Sequence, residues 1–251
     1  LLASRTDLCG TMTAPGRTSR SLDDTTGGAF FGRRKGKKLR PHQTDLIATL
    51  LPRLALDLSS PAPADLRTLF PQPVDDVRLE IGFGGGEHLI AQAERHPRTG
   101  FIGVEPFVNG MAKALAAIDA RAIANIRLHA GDAAALLAWL PDEQLARIDL
   151  LYPDPWPKRR HWKRRFVQDE RIPALARALR AGGEFRFASD WADYAAWTLS
   201  RFLRAKTFAW TAERADDWRL PWPDFGGTRY EAKAKREGRK PCYLVFRKVA
   251  A

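Results

Sequence analysis

The 251-residue sequence is poor in sulfur: it has two cysteines, Cys9 and Cys242, and two methionines. Neither cysteine sits in a C-x-x-C pair. One bridge between the chain ends is open to them, but a reduced, cytoplasmic protein is the expectation. The five histidines (His42, His88, His96, His129 and His161) are scattered without ligand spacing, so no structural or catalytic metal is expected. No apolar run approaches the ~18 residues of a membrane span. Leu1-Leu2 is not followed by the apolar stretch of a secretory signal, and Met12 is expected to be the true start, with 1–11 an upstream extension. Acidic residues are also in deficit: 29 Asp and Glu face 41 Lys and Arg, a formal net charge of +12. That excess points to a polyanionic partner without choosing between RNA, DNA and an anionic membrane.

What is present is an ordinary globular composition, 45% hydrophobic and 28% charged, unevenly distributed. Residues 1–40 are rich in Gly, Ser, Thr and Arg without apolar periodicity and read as a disordered tail. The tail ends in Arg33-Arg34-Lys35-Gly36-Lys37-Lys38-Leu39-Arg40, which is either a solvated segment or an RNA-touching arm. Residues 41–74 read as an N-terminal helix and linker: an amphipathic helix over 42–56 interrupted by Pro52, then prolines at 61, 63, 71 and 73. From 75 to 251 strands and helices alternate. Strands are predicted at 78–82, 100–105, 126–129, 148–152 and 184–189, and helices at 87–95, 108–120, 133–140 and 172–180. Short apolar runs such as Ile148-Asp149-Leu150-Leu151-Tyr152 suit parallel strands buried on both faces. Repeated βα units imply an α/β, doubly wound, Rossmann-like sheet with its ligand site beyond the carboxyl ends of the strands.

The first strand runs into Glu80-Ile81-Gly82-Phe83-Gly84-Gly85-Gly86-Glu87 and then a helix. Glycines let backbone approach a ligand closely, and the helix start offers free N–H groups. A dinucleotide fingerprint beginning at Gly82 needs glycine where Glu87 stands. A carboxylate there repels a pyrophosphate but not the sulfonium and amino groups of S-adenosyl-L-methionine, and Glu80 adds a second negative charge. Glu105 ends the second strand, where an acid can accept both ribose hydroxyls. Gly131-Asp132-Ala133 follows the third, placing Asp132 within reach of an adenine amino group. Each acid taken alone also fits helix capping or a solvated loop.

The fourth strand ends in Tyr152-Pro153-Asp154-Pro155-Trp156-Pro157. Alternating prolines stiffen this loop and bias Asp154 and Trp156 toward extended backbone. Asp154 is thereby held beside the inferred pocket, and Trp156 offers a face for base stacking. Lys158-Arg159-Arg160-His161-Trp162-Lys163-Arg164-Arg165 follows at once, a charge run whose place beside the site favours phosphate contact. A third basic stretch spans Lys233 to Lys240.

Leu79 to Glu87, Gly103-Val104-Glu105-Pro106, Pro153-Asp154-Pro155-Trp156-Pro157-Lys158, Ala188-Ser189-Asp190-Trp191 and Thr228-Arg229-Tyr230-Glu231-Ala232-Lys233 together resemble the bacterial tRNA (guanine-N7-)-methyltransferases over most of the chain, from about Phe30 to Lys248. The resemblance implies the mostly parallel seven-stranded sheet of the class I methyltransferases. It implies methylation of N7 of guanosine at position 46 in the tRNA variable loop. The cofactor would meet Glu80, Gly82, Gly84, Glu105, Asp132, Ala133 and Asp154, with Asp154 catalytic. Lys158, Asp190 and Thr228, Arg229, Tyr230 and Glu231 would contact substrate, and Arg160, His161, Trp162, Lys163, Arg164 and Arg165 would lie on the RNA. No obligatory protein partner is expected, and either a monomer or a homodimer is compatible. Two other readings stay open: methylation of an exocyclic amine, because Pro153-Asp154-Pro155-Trp156 is close to a D-P-P-Tyr/Trp signature, and a non-catalytic Rossmann-like RNA-binding protein.

Overall fold

A computed structural model describes Gly32 and residues 34–249. Most of the expected disordered tail, Met12 and Cys9 lie outside the described residues. The end of the tail is seated rather than free of the fold. Val108 N–H donates to the carbonyl of Arg34, Gly36 N–H donates to Asn109 Oδ1, and Asn109 Nδ2 donates to the carbonyl of Lys37, both at 2.6 Å.

The chain then forms α1 (Pro41–Thr49) and α2 (Leu51–Leu54), the helical segment expected over 42–56 with its interruption at Pro52. The break falls at Leu50, because Pro52 has no N–H to give and crowds the preceding turn. Leu46 and Leu54 pack beneath Leu89, Met111 and Leu115. Leu56 N–H donates to Leu128 O, covering the open edge of the sheet. The proline-rich stretch that follows sends Leu66, Phe70 and Val74 into the main core.

The main body alternates β1 (Asp76–Ile81), α3 (Glu87–Arg95), β2 (Thr99–Val104), α4 (Val108–Ala120), β3 (Ile126–His129), α5 (Ala133–Trp139), β4 (Leu145–Leu151), α6 (Ile172–Ala178), β5 (Leu179–Ser189), α7 (Ala192–Arg204), β6 (Phe208–Trp210), α8 (Asp216–Arg219), α9 (Arg229–Arg236) and β7 (Cys242–Lys248). The sheet has seven strands in the order β3-β2-β1-β4-β5-β7-β6. It is parallel as far as β5, and β7 runs antiparallel to both β5 and β6. The helices expected at 87–95 and 108–120 match α3 and α4 residue for residue. β5 starts five residues earlier than the expected 184, because Leu179 pairs with Leu145 before the register shifts past Gly182 and Gly183. The strand order reverses between β1 and β4, which opens a crevice at their carboxyl ends.

Candidate active site

That crevice is a cavity of about 390 Å³, within the usual range for small-molecule sites. Gly82 and Gly84 after β1, Glu105 to Phe107 after β2, Asp132 and Ala133 after β3, and Tyr152 to Asp154 with Trp156 after β4 line it. Gly32, Phe166, Arg171 and Tyr230 also reach it, and none of these four but Tyr230 was singled out in the sequence. No period or motif marks Gly32, Phe166 or Arg171.

The glycine loop has the backbone its composition requires. Gly82, Gly84 and Gly86 have φ of 71°, 58° and 82°, values that side-chain-bearing residues seldom adopt. A Cβ on Gly110 would strike the carbonyl of Gly84, so α4 packs directly on the loop. Glu105 locks the arrangement: its Oε2 accepts from Gly84 N–H at 2.7 Å and its Oε1 from Phe107 N–H at 2.9 Å. Burial raises the Glu105 carboxyl above its ordinary value, the two backbone donors oppose the rise, and the charge of Asp154 adds to it. Each oxygen retains a lone pair for a further donor. Asp132 does cap a helix, accepting from Ala134 N–H at 2.9 Å, and still lines the cavity. A largely apolar cleft with three carboxylates, Glu105, Asp132 and Asp154, and close backbone approach at the glycine loop fits the adenosyl, ribose and sulfonium parts of S-adenosyl-L-methionine.

Glu80 lies elsewhere. It points to the opposite face of β1, is buried, and accepts or shares a proton with His88 Nδ1 at 2.7 Å. Burial disfavours charge on His88, but the Glu80 carboxylate outweighs it and the histidine's pKa is raised. Glu80 therefore ties β1 to α3 and does not line the cavity.

Asp154 stands on the cavity wall between two residues in the left-handed region, Tyr152 at φ 49° and Trp156 at φ 43°. The extended backbone expected for Trp156 is thus incorrect. Non-glycine residues in this region store strain of about 1–3 kcal/mol each, and such strain gathers at functional sites. Asp154 keeps an open face to solvent, while the surrounding walls raise its carboxyl above the ordinary range by desolvation. One face of Trp156 is taken by the Arg164 guanidinium, 4.9 Å from the ring centroid.

The basic run folds into a short 3-10 turn, Arg159–Arg164. Lys158, Arg160 and Lys163 are exposed. Arg165 is not: its side chain is 0% exposed, so the expectation that it lies on RNA is corrected. It donates to Pro155 O at 2.9 Å, pairs with Asp193 and sits among Trp162, Tyr194 and Trp197. Trp162 is half-buried, its ring edge-on to Trp197 at 5.3 Å and against the Arg165 guanidinium. Arg165 instead ties the proline loop to α7.

The segment at 228–231 begins α9. Thr228 caps it by accepting from Glu231 N–H at 3.0 Å. Tyr230 lines the cavity and Arg229 lies 4.0 Å from Glu87, so both stand over the glycine loop. Glu231 is buried and accepts from Tyr243 Oη at 2.7 Å, which faces it inward, and Asp190 is paired with Arg239 at 2.6 Å.

A family model described as a putative methyltransferase matches residues 75–244. The tRNA (guanine-N(7)-)-methyltransferase of Rhodopseudomonas palustris (strain HaA2) is 68% identical over 89% of this chain and 88% of its own length. That of Nitrobacter hamburgensis is 63% identical over 91% and 92%. Among solved structures, the 16S rRNA methyltransferase KamB superposes with a TM-score of 0.54 at 17% identity, covering 76% of this chain and 95% of KamB, a likeness of fold. With the strand order, the glycine loop and Asp154 placed together at one crevice, these similarities show that the chain belongs to the tRNA (guanine-N7-)-methyltransferase family.

Proposed function

We propose that this protein transfers the methyl group of S-adenosyl-L-methionine to N7 of guanosine in tRNA, at position 46 of the variable loop. The observation that carries the reading is the placement of Asp154 on the cavity wall, opposite the Glu105-bound glycine loop and beside the exposed Lys158, Arg160 and Lys163. Bound S-adenosyl-L-methionine supplies a methyl group activated by its sulfonium.

Guanine N7 carries a lone pair and no proton, so no base is needed to deprotonate the nucleophile. The protein's work is positioning, the effect that intramolecular proximity supplies. Asp154 accepts from the N1 and exocyclic N–H groups of guanine, orienting N7 toward the cavity. Its carboxylate also offsets the positive charge that develops on the purine. Glu105 takes the ribose hydroxyls and Asp132 the adenine amino group. The 3-10 turn and Arg229 meet phosphate. In this reading Glu80, hydrogen-bonded to His88, and Glu231, hydrogen-bonded to Tyr243, support the site without touching the ligands.

The test is incubation with labelled S-adenosyl-L-methionine and total tRNA lacking this modification, followed by nucleoside analysis. Label in 7-methylguanosine at the variable loop is the expected result. Label in an exocyclic methylamine, or none, overturns the reading.

A further inference from the structure

Beneath the sheet, on the side of α3, lies a set of charged groups with no part in the site above. Arg147 of β4 is buried and donates to Asp149 at 2.9 Å and to Gln92 of α3 at 2.6 Å. Arg186 of β5 donates to Glu184 at 3.0 Å. Both arginines also reach one loop residue: Arg147 donates to Asp224 Oδ2 and Arg186 to Asp224 Oδ1, each at 3.0 Å. The Asp224 carbonyl accepts from Gln92 and from Arg95, each at 2.6 Å. A single loop residue is therefore held by two central strands and one helix at once.

The neighbours of Asp224 carry the grip forward. Trp222 lies under the Arg186 guanidinium, and Phe225 packs on Trp222, His88 and Tyr243. Gly226 sits so close to α3 that a Cβ would come within 3.3 Å of Ala91, and Gly227 has φ 75°. Thr228 and α9 start at the next residue. Only four residues separate Asp224 from Arg229, and Tyr230 follows it at the mouth of the cavity.

We propose that Asp224 is a positioning residue for substrate binding: by clamping the 222–227 loop to Arg147 and Arg186 it holds Arg229 and Tyr230 over the glycine loop, where the tRNA nucleotide enters. This rests on the reading that the 228–231 segment meets the tRNA. The charge-assisted bonds to two arginines fasten the loop to the sheet, and an uncharged residue at 224 removes the one carboxylate they share, leaving Arg147 to Asp149 and Arg186 to Glu184.

Steady-state methylation by the full-length chain tests it in a double-mutant cycle of Asp224→Asn and Tyr230→Ala. Each single variant is expected to raise KM for tRNA about tenfold, Asp224→Asn with kcat and S-adenosylhomocysteine affinity changed by less than about twofold, and the double variant to be no worse than Tyr230→Ala alone. Effects that multiply, or an unchanged KM in Asp224→Asn, overturn the proposal. An unchanged KM in Tyr230→Ala shows instead that the 228–231 segment does not meet tRNA, and the proposal falls with that reading. If Asp224→Asn does not fold, Arg186→Gln enters the same cycle, because Arg147 keeps Asp149 and Gln92 in that variant.

Discussion

Glu105, following β2, accepts the backbone N–H of Gly84 at 2.7 Å, so the residue proposed to take the ribose also sets the shape of the glycine loop. Glu105→Ala loses both roles. A hydrogen bond to a charged group contributes about 1.5–3 kcal/mol, so S-adenosylhomocysteine affinity should fall about 10–100-fold. Glu105→Gln keeps one acceptor and should lose less. Calorimetry reads both, and equal affinity in all three proteins would remove Glu105 from the cofactor site.

Asp154 should be needed for turnover more than for RNA affinity. Asp154→Ala is expected to lower kcat about 100–1,000-fold, the scale of removing one electrostatic partner of a transition state. Its tRNA Kd, measured by filter binding, should stay within about twofold because phosphate neutralisation dominates affinity. Full turnover by both Asp154→Asn and Asp154→Ala would refute the assigned role.

The basic run divides into two kinds of residue. Replacing the exposed Arg160 and Lys163 with Gln should weaken tRNA binding and reduce the slope of log K against log salt by about 0.7–0.9 for each phosphate no longer neutralised. Arg165→Ala should leave that slope nearly unchanged and lower stability by about 2–4 kcal/mol, since it empties a site enclosed by three aromatic rings. Salt titration and denaturant unfolding separate the two effects.

The clamp at Asp224 has a pH signature. Burial favours its neutral form, but Arg186 and Arg147 outweigh burial and hold its pKa down at about 2, against 3.8 for a free aspartate. A depressed pKa stabilises the fold above the unfolded value. The contribution is therefore complete above about pH 5 and is lost as pH falls through 3.8 toward 2, with a size of about 1–2 kcal/mol after screening. Asp224→Asn should narrow that loss between pH 5 and 2 in urea unfolding. Identical acid profiles for the two proteins would count against the ion pairs.

Much of the site was readable along the chain because it is local. The glycine loop, Glu105, Asp132 and Asp154 each follow a strand by a few residues, and α/β topology alone brings strand ends together. The helices α3 and α4 were equally clear from their apolar periods. Glu80 shows the limit. A strand buried on both faces alternates its side chains, but alternation does not say which face opens on the cavity.

The basic run shows another limit: six cations in eight residues announce a polyanion, yet nothing in their order says that Arg165 turns inward while Lys163 stays out. Tyr152 and Trp156 adopt positive φ for which neither residue type has a preference, so only the packed loop imposes it. Asp224 lies 77 residues from Arg147 and 38 from Arg186, and no periodicity links them. The amino-acid order by itself determined the strand–helix alternation, the glycine loop and the acids at the strand ends, because these depend on neighbours within a few residues. Which charged groups face the cavity, which stay in water and which lock the 222–227 loop to the sheet was decided by tertiary packing, because burial is settled between segments that meet only when the chain has folded.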